Sequence, residues 1–471
     1  MPPGTAPGRR AAGTAAGTAR KAAMKKDSFF STSDRGPLLR SILVLSIPTI
    51  LEQVLSTLLQ YVDTAMVGQL GEQATASVSI TTNVTWLVNS VPGAIGTAML
   101  VLISRASGAG DRQQVRKLAQ QALFLAGVFG LILGAASVAL SPWIPVWMGA
   151  EAAIQETASR YFFIISLPML FRSMSTILGA TLRAVQDTRT PLFISMASNG
   201  LNIVGNYLLI YRAGLGVAGA AVSSAVSYAL SGILMLLACR RNEALQLDGK
   251  GFSLERRLLG ECAEVGLPVL GTSVVSCLGY VVFAGLVSGM GTTIFAAHSI
   301  AVTAETIFYV PGYGLRTAAS TLIGSARGEG DSQKLRSVGA LCVLLTVAVM
   351  CVSGLVLFWG ARPLMQLFSP VPEVVSLGAE MLRLVALSEP FFGLMVVLEG
   401  IFYGLGRTRY AFVVESIGMW GVRILLTFLC VRHWGLGLRA VWLCMIADNV
   451  CKALLFAAPF GSRKLRKRIL G

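Results

Sequence analysis

The sequence has little charge. Lys, Arg, Asp and Glu together make up 13% of its 471 residues, whereas 54% of the residues are hydrophobic. A soluble globular protein carries about 25% charged residues, so this chain lacks the charge that would cover a soluble protein of its size. The mean hydropathy of +0.69 indicates one membrane-embedded unit instead.

Histidine is scarce, and the cysteines are not grouped along the chain. The sequence has two histidines and eight cysteines, and no two cysteines form a Cys-x-x-Cys pair. This pattern argues against a histidine-based metal or acid–base centre and against a disulfide framework. We therefore predict no catalytic residue, no cofactor and no structural metal.

Long apolar runs replace the missing charge. From Leu38 onward, stretches of about 20 apolar residues follow one another, and about 20 residues in a helix cross the hydrocarbon core of a membrane. The sequence predicts twelve spans, of which four are long and hold Pro92, Pro168, Pro311 and Pro390, where kinks are expected. The predicted spans are 38–66, 74–104, 116–140, 154–182, 190–211, 216–238, 262–288, 293–325, 336–358, 374–404, 410–431 and 437–458.

Positive charge marks one side of the membrane. Of the 39 Lys and Arg residues, 29 lie in the two tails and in alternate loops, whereas the other loops hold only Arg212, Arg362 and Arg432. The positive-inside rule predicts a multi-pass protein of the cell inner membrane with both termini in the cytoplasm. Contact with anionic membrane lipid accounts for the net charge of +16 without a nucleic-acid partner.

The chain also repeats itself at an offset of about 220 residues. Residues 108–111 read Gly-Ala-Gly-Asp and residues 328–331 read Gly-Glu-Gly-Asp, and Pro48 and Pro268 match in the same register. Each half holds an even number of spans, so both halves have the same orientation and are related by an axis along the membrane normal. The fold class that follows is an all-α integral membrane protein of twelve transmembrane helices in two six-helix bundles.

This organisation predicts five parts. We expect a disordered basic tail at 1–37, with Met24 as an alternative start, an N-terminal lobe at 38–238 and a C-terminal lobe at 261–458. A cytoplasmic linker at 239–260 joins the lobes, and a basic cytoplasmic tail follows at 459–471. Two parallel bundles leave a cleft that rocking opens to either side, so we expect a transporter that works as a monomer.

Polar side chains inside the predicted N-terminal lobe are the first site candidates. Glu52 and Asp63 are 11 residues apart and share one face of the first span. Asn199, Asn202 and Asn206 form a stripe on the fifth span, where amide oxygens could help a carboxylate to hold a cation. The alternatives are hydrogen bonding between helices for the amides and a neutral carboxyl bonded to a neighbouring helix for Glu52.

The C-terminal half carries a second set of ionisable residues. Glu305 and Arg316 are again 11 residues apart, Glu389 directly precedes Pro390, and Glu399 lies one turn before Tyr403. Scaffolding by charge compensation is the default interpretation of such groups. Asp448 and Lys452 have the i, i+4 spacing of a structural ion pair.

Several motifs resemble the multidrug and toxic compound extrusion (MATE) family. Residues 62–71, Val-Asp-Thr-Ala-Met-Val-Gly-Gln-Leu-Gly, are similar to its first-span signature. Residues 297–300, 310–314 and 318–324 resemble its eighth-span signature, and residues 400–409 resemble the end of its tenth span. The resemblance covers about residues 38–458 and agrees with the twelve-span repeat.

The resemblance implies an antiporter that exports organic, often cationic, drugs as protons or sodium ions enter. Asp63 matches the acidic residue of the family's first span, and Asn202 matches the first polar residue of its fifth-span motif. Asn206 stands where many members have aspartate, and Ser224 falls near a hydroxyl position of the sixth span. These four residues are the predicted proton or sodium site, and a small organic molecule is the predicted substrate.

The C-terminal lobe departs from one subgroup of that family. The subgroup's seventh-span acidic residue falls in residues 274–277, Val-Val-Ser-Cys, and its tenth-span aspartate falls near Phe392. Glu305, Glu389 and Glu399 are the candidate substitutes.

Two other functions compete with the drug antiporter. A lipid-linked oligosaccharide flippase of the same superfamily would need several cations in its cleft to hold a pyrophosphate, and the chief mid-membrane cations are Arg172, Arg316 and Arg423. A polytopic membrane enzyme would need clustered Asp, His or Cys on interfacial loops, and the predicted outer loops have few acidic residues, such as Glu72 and Glu151.

Overall fold

The computed structural model describes residues 35–245, residue 247 and residues 255–461. The alternative start at Met24, nearly all of the predicted tail at 1–37, the middle of the 239–260 linker and most of the 459–471 tail lie outside the described residues. Within the described part of the chain every regular element is helical.

Twelve membrane-length helices follow one another, and four of them are interrupted or change their winding. They are α1 (Arg35–Gly68), α2 (Glu72–Gly108), α3 (Arg112–Leu140), α4 (Ala152–Ser166 and Met169–Ala184), α5 (Arg189–Asn206 with the π-helix Tyr207–Arg212), α6 (Gly216–Arg241), α7 (Arg256–Ser288), α8 (Thr292–Glu329), α9 (Ser332–Phe368), α10 (Pro372–Ala386 and Glu389–Gly404), α11 (Thr408–Ser416, the π-helix Ile417–Ile424, Leu425–Phe428 and the π-helix Leu429–His433) and α12 (Leu438–Gly461). A short helix, Ile144–Trp147, lies between α3 and α4.

The prediction of an all-α membrane protein is confirmed. Nine of the described helices are long and apolar enough to cross a membrane, and the two bent pairs, α4 and α10, raise the count to eleven. The mean hydropathy of the remaining helix, α5, is lowered by its three asparagines. The predicted ends are off by several residues, most of all in α9, which was expected to stop at 358 and continues to Phe368 because its amphipathic last turns lack the hydropathy on which the prediction depended.

Two of the four prolines break their helices. The two parts of α4 meet at an angle of 51° beside Pro168, and the two parts of α10 meet at 55° beside Pro390. Proline has no N–H to donate to the preceding turn, which confirms the predicted kinks at these two positions. In contrast, α2 and α8 continue through Pro92 and Pro311 as single helices.

The repeat is visible in the helix boundaries. Each boundary of the two parts of α4 recurs about 220 residues later in α10. The hairpins α1–α2 and α7–α8 both turn at a glycine of positive φ, 107° at Gly71 and 116° at Gly291, a conformation that glycine adopts without steric cost. We call this side of the bundle the hairpin side, and the side where α1 begins and α12 ends the terminal side.

The repeated Gly-x-Gly-Asp motif builds matching turns on the terminal side. Gly110 and Gly330 have φ of 71° and 72°, and the next residue caps a helix in each half. The Asp111 carboxylate accepts a hydrogen bond from the first turn of α3, and the Asp331 carboxylate accepts two from the first turn of α9.

The first glycine of each motif brings the two halves into contact. Gly108 on α2 packs on the backbone of Ser325, and Gly328 on α8 packs on the backbone of Arg105. The operation that relates the two halves converts each of these contacts into the other, so the symmetry axis passes between them. Neither glycine leaves room for a Cβ, and the terminal-side ends of α2 and α8 therefore form a close backbone seam.

Candidate functional site

The four residues predicted to bind a cation come together in the N-terminal half. The Asn206 Nδ2 on α5 donates to the Asp63 Oδ1 on α1 at 2.6 Å. In the amide orientation that satisfies both ends of Asn202, its Nδ2 donates to Asp63 at 2.8 Å and its Oδ1 accepts from Ser224 at 3.2 Å. Two amides therefore hold the Asp63 carboxylate.

The amide stripe also leaves one acceptor open. The Asn206 side chain is 1% exposed, and its Oδ1 has no hydrogen-bond partner among the described residues. A buried oxygen without a partner costs free energy, and this one belongs to the amide that donates to Asp63. A cation bound between the carboxylate and this oxygen would satisfy both.

Two polar cavities meet at Asp63. The first, of about 280 Å³, lies toward the terminal side, and Glu52, Ser56 and Asn199 are among its lining residues. The second, of about 390 Å³, lies toward the hairpin side, and Gln60, Thr75 and Ser224 are among its lining residues. Both cavities are lined by Asp63, Arg172 and Tyr228, which therefore separate a terminal-side chamber from a hairpin-side chamber.

Glu52 and Asp63 face the same chamber, as their spacing predicts, but Glu52 has a charged partner. The Arg183 Nη1 on α4 lies 3.1 Å from the Glu52 Oε2. The alternative of a neutral carboxyl bonded to a neighbouring helix is therefore corrected: the neighbouring helix is present, but it contributes a guanidinium and forms an ion pair. Asn199 lines the same chamber, and its Nδ2 has no partner within the described residues.

Arg172 has an aromatic partner that sequence reasoning missed. Its guanidinium carbon lies 4.4 Å from the ring centroid of Tyr228 on α6, within the range of a cation–π interaction. No spacing rule connects α4 to α6, so no signal in the sequence could have found this pair.

The C-terminal acidic residues lie in different surroundings. Glu399 accepts from Arg316 at 2.9 Å and from the Tyr403 hydroxyl at 2.6 Å, so it is held as one member of an ion pair. Glu389 is 1% exposed, and neither of its carboxyl oxygens has a hydrogen-bond partner in the part of the chain that the structure describes. Glu305 is also buried and lies in the electrostatic field of both Glu389 and Arg423.

A buried ionic network joins α11 to α12. The Lys452 Nζ lies 3.1 Å from the Asp448 Oδ1, which confirms the predicted ion pair, and 3.0 Å from the Glu415 Oε2. The Arg423 Nε donates to the Asp448 Oδ2 at 2.8 Å, and the Ser276 hydroxyl donates to Glu415 at 2.8 Å. The sequence indicated the first pair only, because the other partners lie far apart along the chain.

The two halves therefore differ where the repeat would make them equal. Phe283 and Phe392 occupy the positions that correspond to Asp63 and Arg172. Aromatic side chains fill the C-terminal half where the N-terminal half has a carboxylate and a guanidinium. The polar chambers described above accordingly belong to one lobe of a repeated architecture.

Twelve membrane-length helices in two repeated halves, with polar chambers in one of them, define a membrane transporter. The MatE family model matches residues 48–208 and residues 268–429, once in each half. These matches cover more than half of the chain. The protein belongs to the MatE family of multidrug and toxic compound extrusion transporters, whose members are not enzymes, so the alternative of a polytopic membrane enzyme is excluded.

Known proteins of this family match nearly the whole chain. A probable multidrug resistance protein NorM of Thermotoga maritima is 29% identical over 437 residues, which cover 91% of this chain and 93% of the relative. The structure of a multidrug resistance MATE family transporter in an outward-facing conformation has a TM-score of 0.86 at 21% identity, and the match covers 93% of this chain and 99% of the other. A MATE crystal structure in complex with MaD3S also has a TM-score of 0.86 at 21% identity and covers 92% and 96% of the two chains.

Proposed function

We propose that this protein is a cation-coupled antiporter that exports organic, cationic or amphipathic compounds by alternating access. The observation that supports this most directly is the position of Asp63, a carboxylate held by two amides where a terminal-side and a hairpin-side chamber meet. A carboxylate inside a membrane lobe is expensive unless it serves an ion or a charged ligand. The name of the Thermotoga relative, a probable multidrug resistance protein, points to drugs as the cargo.

The coupling would act through competition for one negative charge. An ionised Asp63 attracts a cationic group of the cargo in a medium of low dielectric constant. A proton or a sodium ion that neutralises Asp63 removes this attraction, and the cargo is released. Such exchange drives transport only when ion and cargo differ in their affinity for the two states of the protein.

The ion is a proton or a sodium ion. A proton needs only the Asp63 carboxylate. A sodium ion needs several oxygen ligands, and the open Oδ1 of Asn206, with the Oγ of Ser224 nearby, would supply them beside Asp63. The amide at position 206 replaces a second negative charge, so we propose that the site holds one monovalent ion at a time.

In the C-terminal half, Glu305 and Glu389 are the proposed secondary candidates. Glu399 is neutralised by Arg316 at 2.9 Å, which favours scaffolding for this residue. Within the described residues Glu389 has no partner of this kind, and it lies in the electrostatic field of Glu305.

The flippase alternative is less well supported. Of the three mid-membrane cations, Arg316 is paired with Glu399 and Arg423 with Asp448. Within the described residues this leaves Arg172 as the one of the three without a carboxylate partner. A single guanidinium is a weak match for a pyrophosphate group.

We further propose that both termini are cytoplasmic, that the membrane is the cell inner membrane and that the protein works as a monomer in contact with anionic lipid. Among the 29 Lys and Arg residues counted above, those in the described loops, such as Arg105, Arg240 and Arg327, lie at the terminal side, which is the pattern of a cytoplasmic face. Under this orientation the close seam between α2 and α8 lies at the cytoplasmic side.

Asp63→Asn tests the proposal. In proteoliposomes with an imposed proton or sodium gradient, the wild-type protein should drive efflux of a cationic dye. The ion-driven rate of the variant should be lower by a factor of about ten or more, because an amide does not carry the charge that the ion and the cargo exchange. Glu156→Gln, an exposed carboxylate on the first part of α4, is the matched control and should transport as the wild type does.

The two gradients are applied separately. A response to the proton gradient alone identifies the proton as the coupling ion, and a response to the sodium gradient alone identifies sodium. Wild-type transport by Asp63→Asn would refute the role of Asp63, and transport by the wild type that depends on neither gradient would refute antiport.

A further inference from the structure

Arg172 lies inside the N-terminal lobe and not at its surface. It is on the second part of α4, one turn after the break at Pro168, and it lines both chambers as well as a small recess between α2 and α4. A guanidinium at membrane depth normally pairs with a carboxylate or reaches the lipid headgroups. The position of Arg172 on the walls of both chambers excludes the second arrangement.

The carboxylates that could pair with Arg172 are already engaged. Glu52 is bound to Arg183 at 3.1 Å, and Asp63 accepts hydrogen bonds from Asn206 and Asn202. Within the described residues no ion pair and no side-chain hydrogen bond reaches the guanidinium of Arg172. Its described partner is the ring of Tyr228 at 4.4 Å.

The contact with the Tyr228 ring at 4.4 Å gives the N–H donors of Arg172 no oxygen acceptor. The N–H donors of arginine lie in the plane of the group and form a fork that matches the two oxygens of a carboxylate. The Tyr228 ring attracts the positive charge of the group but does not take the place of such a carboxylate. The fork therefore remains available to a ligand in the chambers.

The charge of the chambers points to the kind of ligand. The Glu52–Arg183 pair is neutral, so the remaining charged groups on the walls are Asp63 and Arg172. With Asp63 ionised the walls carry one charge of each sign, and with a cation on Asp63 they carry a net positive charge. A cargo with a single positive charge is attracted by an ionised Asp63 but repelled by Arg172, whereas a negative group on the same cargo would be attracted by Arg172.

We propose that Arg172 binds a carboxylate of the cargo, and that small organic zwitterions are the class of compound this lobe favours. The ammonium group of such a molecule faces Asp63, and its carboxylate faces the Arg172 fork above Tyr228. This inference rests on the proposed antiport function and specifies its substrate class. The incoming cation competes for the ammonium end alone, so Arg172 determines which compounds bind while Asp63 determines when they leave.

Three xanthene dyes of similar size test this. Rhodamine B is a zwitterion with a free benzoate, its ethyl ester is the same cation with the carboxylate blocked, and fluorescein is an anion. Binding to the purified full-length protein in detergent is measured by fluorescence polarisation. The wild-type protein should bind rhodamine B about tenfold or more tighter than its ester, which is the scale of one charge-assisted hydrogen-bonded pair.

Arg172→Gln should remove this preference and leave the affinity for the ester unchanged or higher, since the repulsive charge is gone. Arg172→Lys keeps the charge without the fork and should retain part of the preference. Arg212→Gln is the matched control, because Arg212 also lies over the ring of a tyrosine, Tyr207 at 5.9 Å, but is exposed at the hairpin-side end of α5. Its preference should equal that of the wild type.

The outcomes separate this inference from the proposed function. Equal wild-type affinity for rhodamine B and its ester, no wild-type affinity for rhodamine B, or an unchanged preference in Arg172→Gln would each overturn the zwitterion inference. Ion-driven efflux of the ester by the same protein would still support antiport. Tight binding of fluorescein together with weak binding of rhodamine B would assign the lobe to anions and refute a paired role of Asp63 and Arg172.

Discussion

Single residues show how closely the two halves follow one backbone. Gln186 between α4 and α5 has φ of 66°, and Gly406, which stands at the corresponding position between α10 and α11, has the same φ of 66°. In this left-handed region a side chain other than glycine costs about 1–2 kcal/mol. Gln186 in the N-terminal half therefore adopts the turn with backbone strain, whereas Gly406 in the C-terminal half adopts the same turn without it.

Exchange of residues between these two positions should shift stability in opposite directions. Gln186→Gly removes the Cβ strain but adds freedom to the unfolded chain, and we expect a net stabilisation of about 0.5–1 kcal/mol. The reciprocal change, Gly406→Gln, should destabilise the protein. The apparent unfolding temperature in detergent measures both, and a lower temperature for Gln186→Gly would contradict the strain argument.

At the scale of helices, charges hold α11 and α12 together inside the C-terminal half. Lys452 on α12 is 3% exposed and reaches Glu415 on α11 as well as Asp448 on its own helix. Arg423 on α11 forms a further ion pair with Asp448, with 2.8 Å between the Arg423 Nε and the Asp448 Oδ2. The four charges balance, so the network is neutral as a unit and each member is costly to remove alone.

Lys452→Met should destabilise the protein strongly. The change leaves two buried carboxylates facing one guanidinium, and breaking a buried pair by removing one partner costs about 3–5 kcal/mol. Arg439→Met is the matched control on the same helix, because Arg439 forms an exposed pair with Glu380 at 4.0 Å and exposed pairs contribute about 0–1 kcal/mol. Thermal unfolding in detergent should separate the two variants; equal stability would show that the network is not a structural element.

At the scale of the whole molecule, the two halves meet along α2 and α8. The largest buried apolar cluster includes Met99 on α2, Ile323 on α8 and Phe402 on α10, so the core is shared by both halves. The glycine seam at the terminal side adds a contact without intervening side chains. In the proposed alternating-access cycle, rocking of the lobes would have to open this seam at the terminal side.

A disulfide across the seam should stop transport. Ser104 on α2 lies directly opposite Gly324 on α8, and a Cβ at Gly324 would be 3.1 Å from that of Ser104, near the range that a disulfide spans. The Ser104→Cys, Gly324→Cys variant should lose dye transport in proteoliposomes on oxidation and regain it on reduction. Ser104→Cys alone and Gly324→Cys alone should respond to neither treatment. Full transport by the oxidised double variant would show that the seam does not open.

Much of this architecture followed from the sequence. Apolar runs of membrane length, alternating positive loops and the offset of about 220 residues are local or periodic properties, and they predicted the twelve helices and the two halves. Asp63 was indicated by its place in a first-span motif. Helix ends were less accurate, as at Phe368, because a helix that leaves the membrane keeps its hydrogen bonds but loses its hydropathy.

The partners of the buried charges were decided only by the tertiary structure. Arg183 binds Glu52 from 131 residues away, and Ser276 binds Glu415 from 139 residues away. Hydropathy identifies a charge inside a span but not the helix that faces it, since packing brings together side chains of unrelated spacing. The sequence by itself therefore determined the number of helices, their repeat and the candidate carboxylate. The folded chain decided that Arg172 would face the chambers with its donors open, because the two carboxylates near it had other partners.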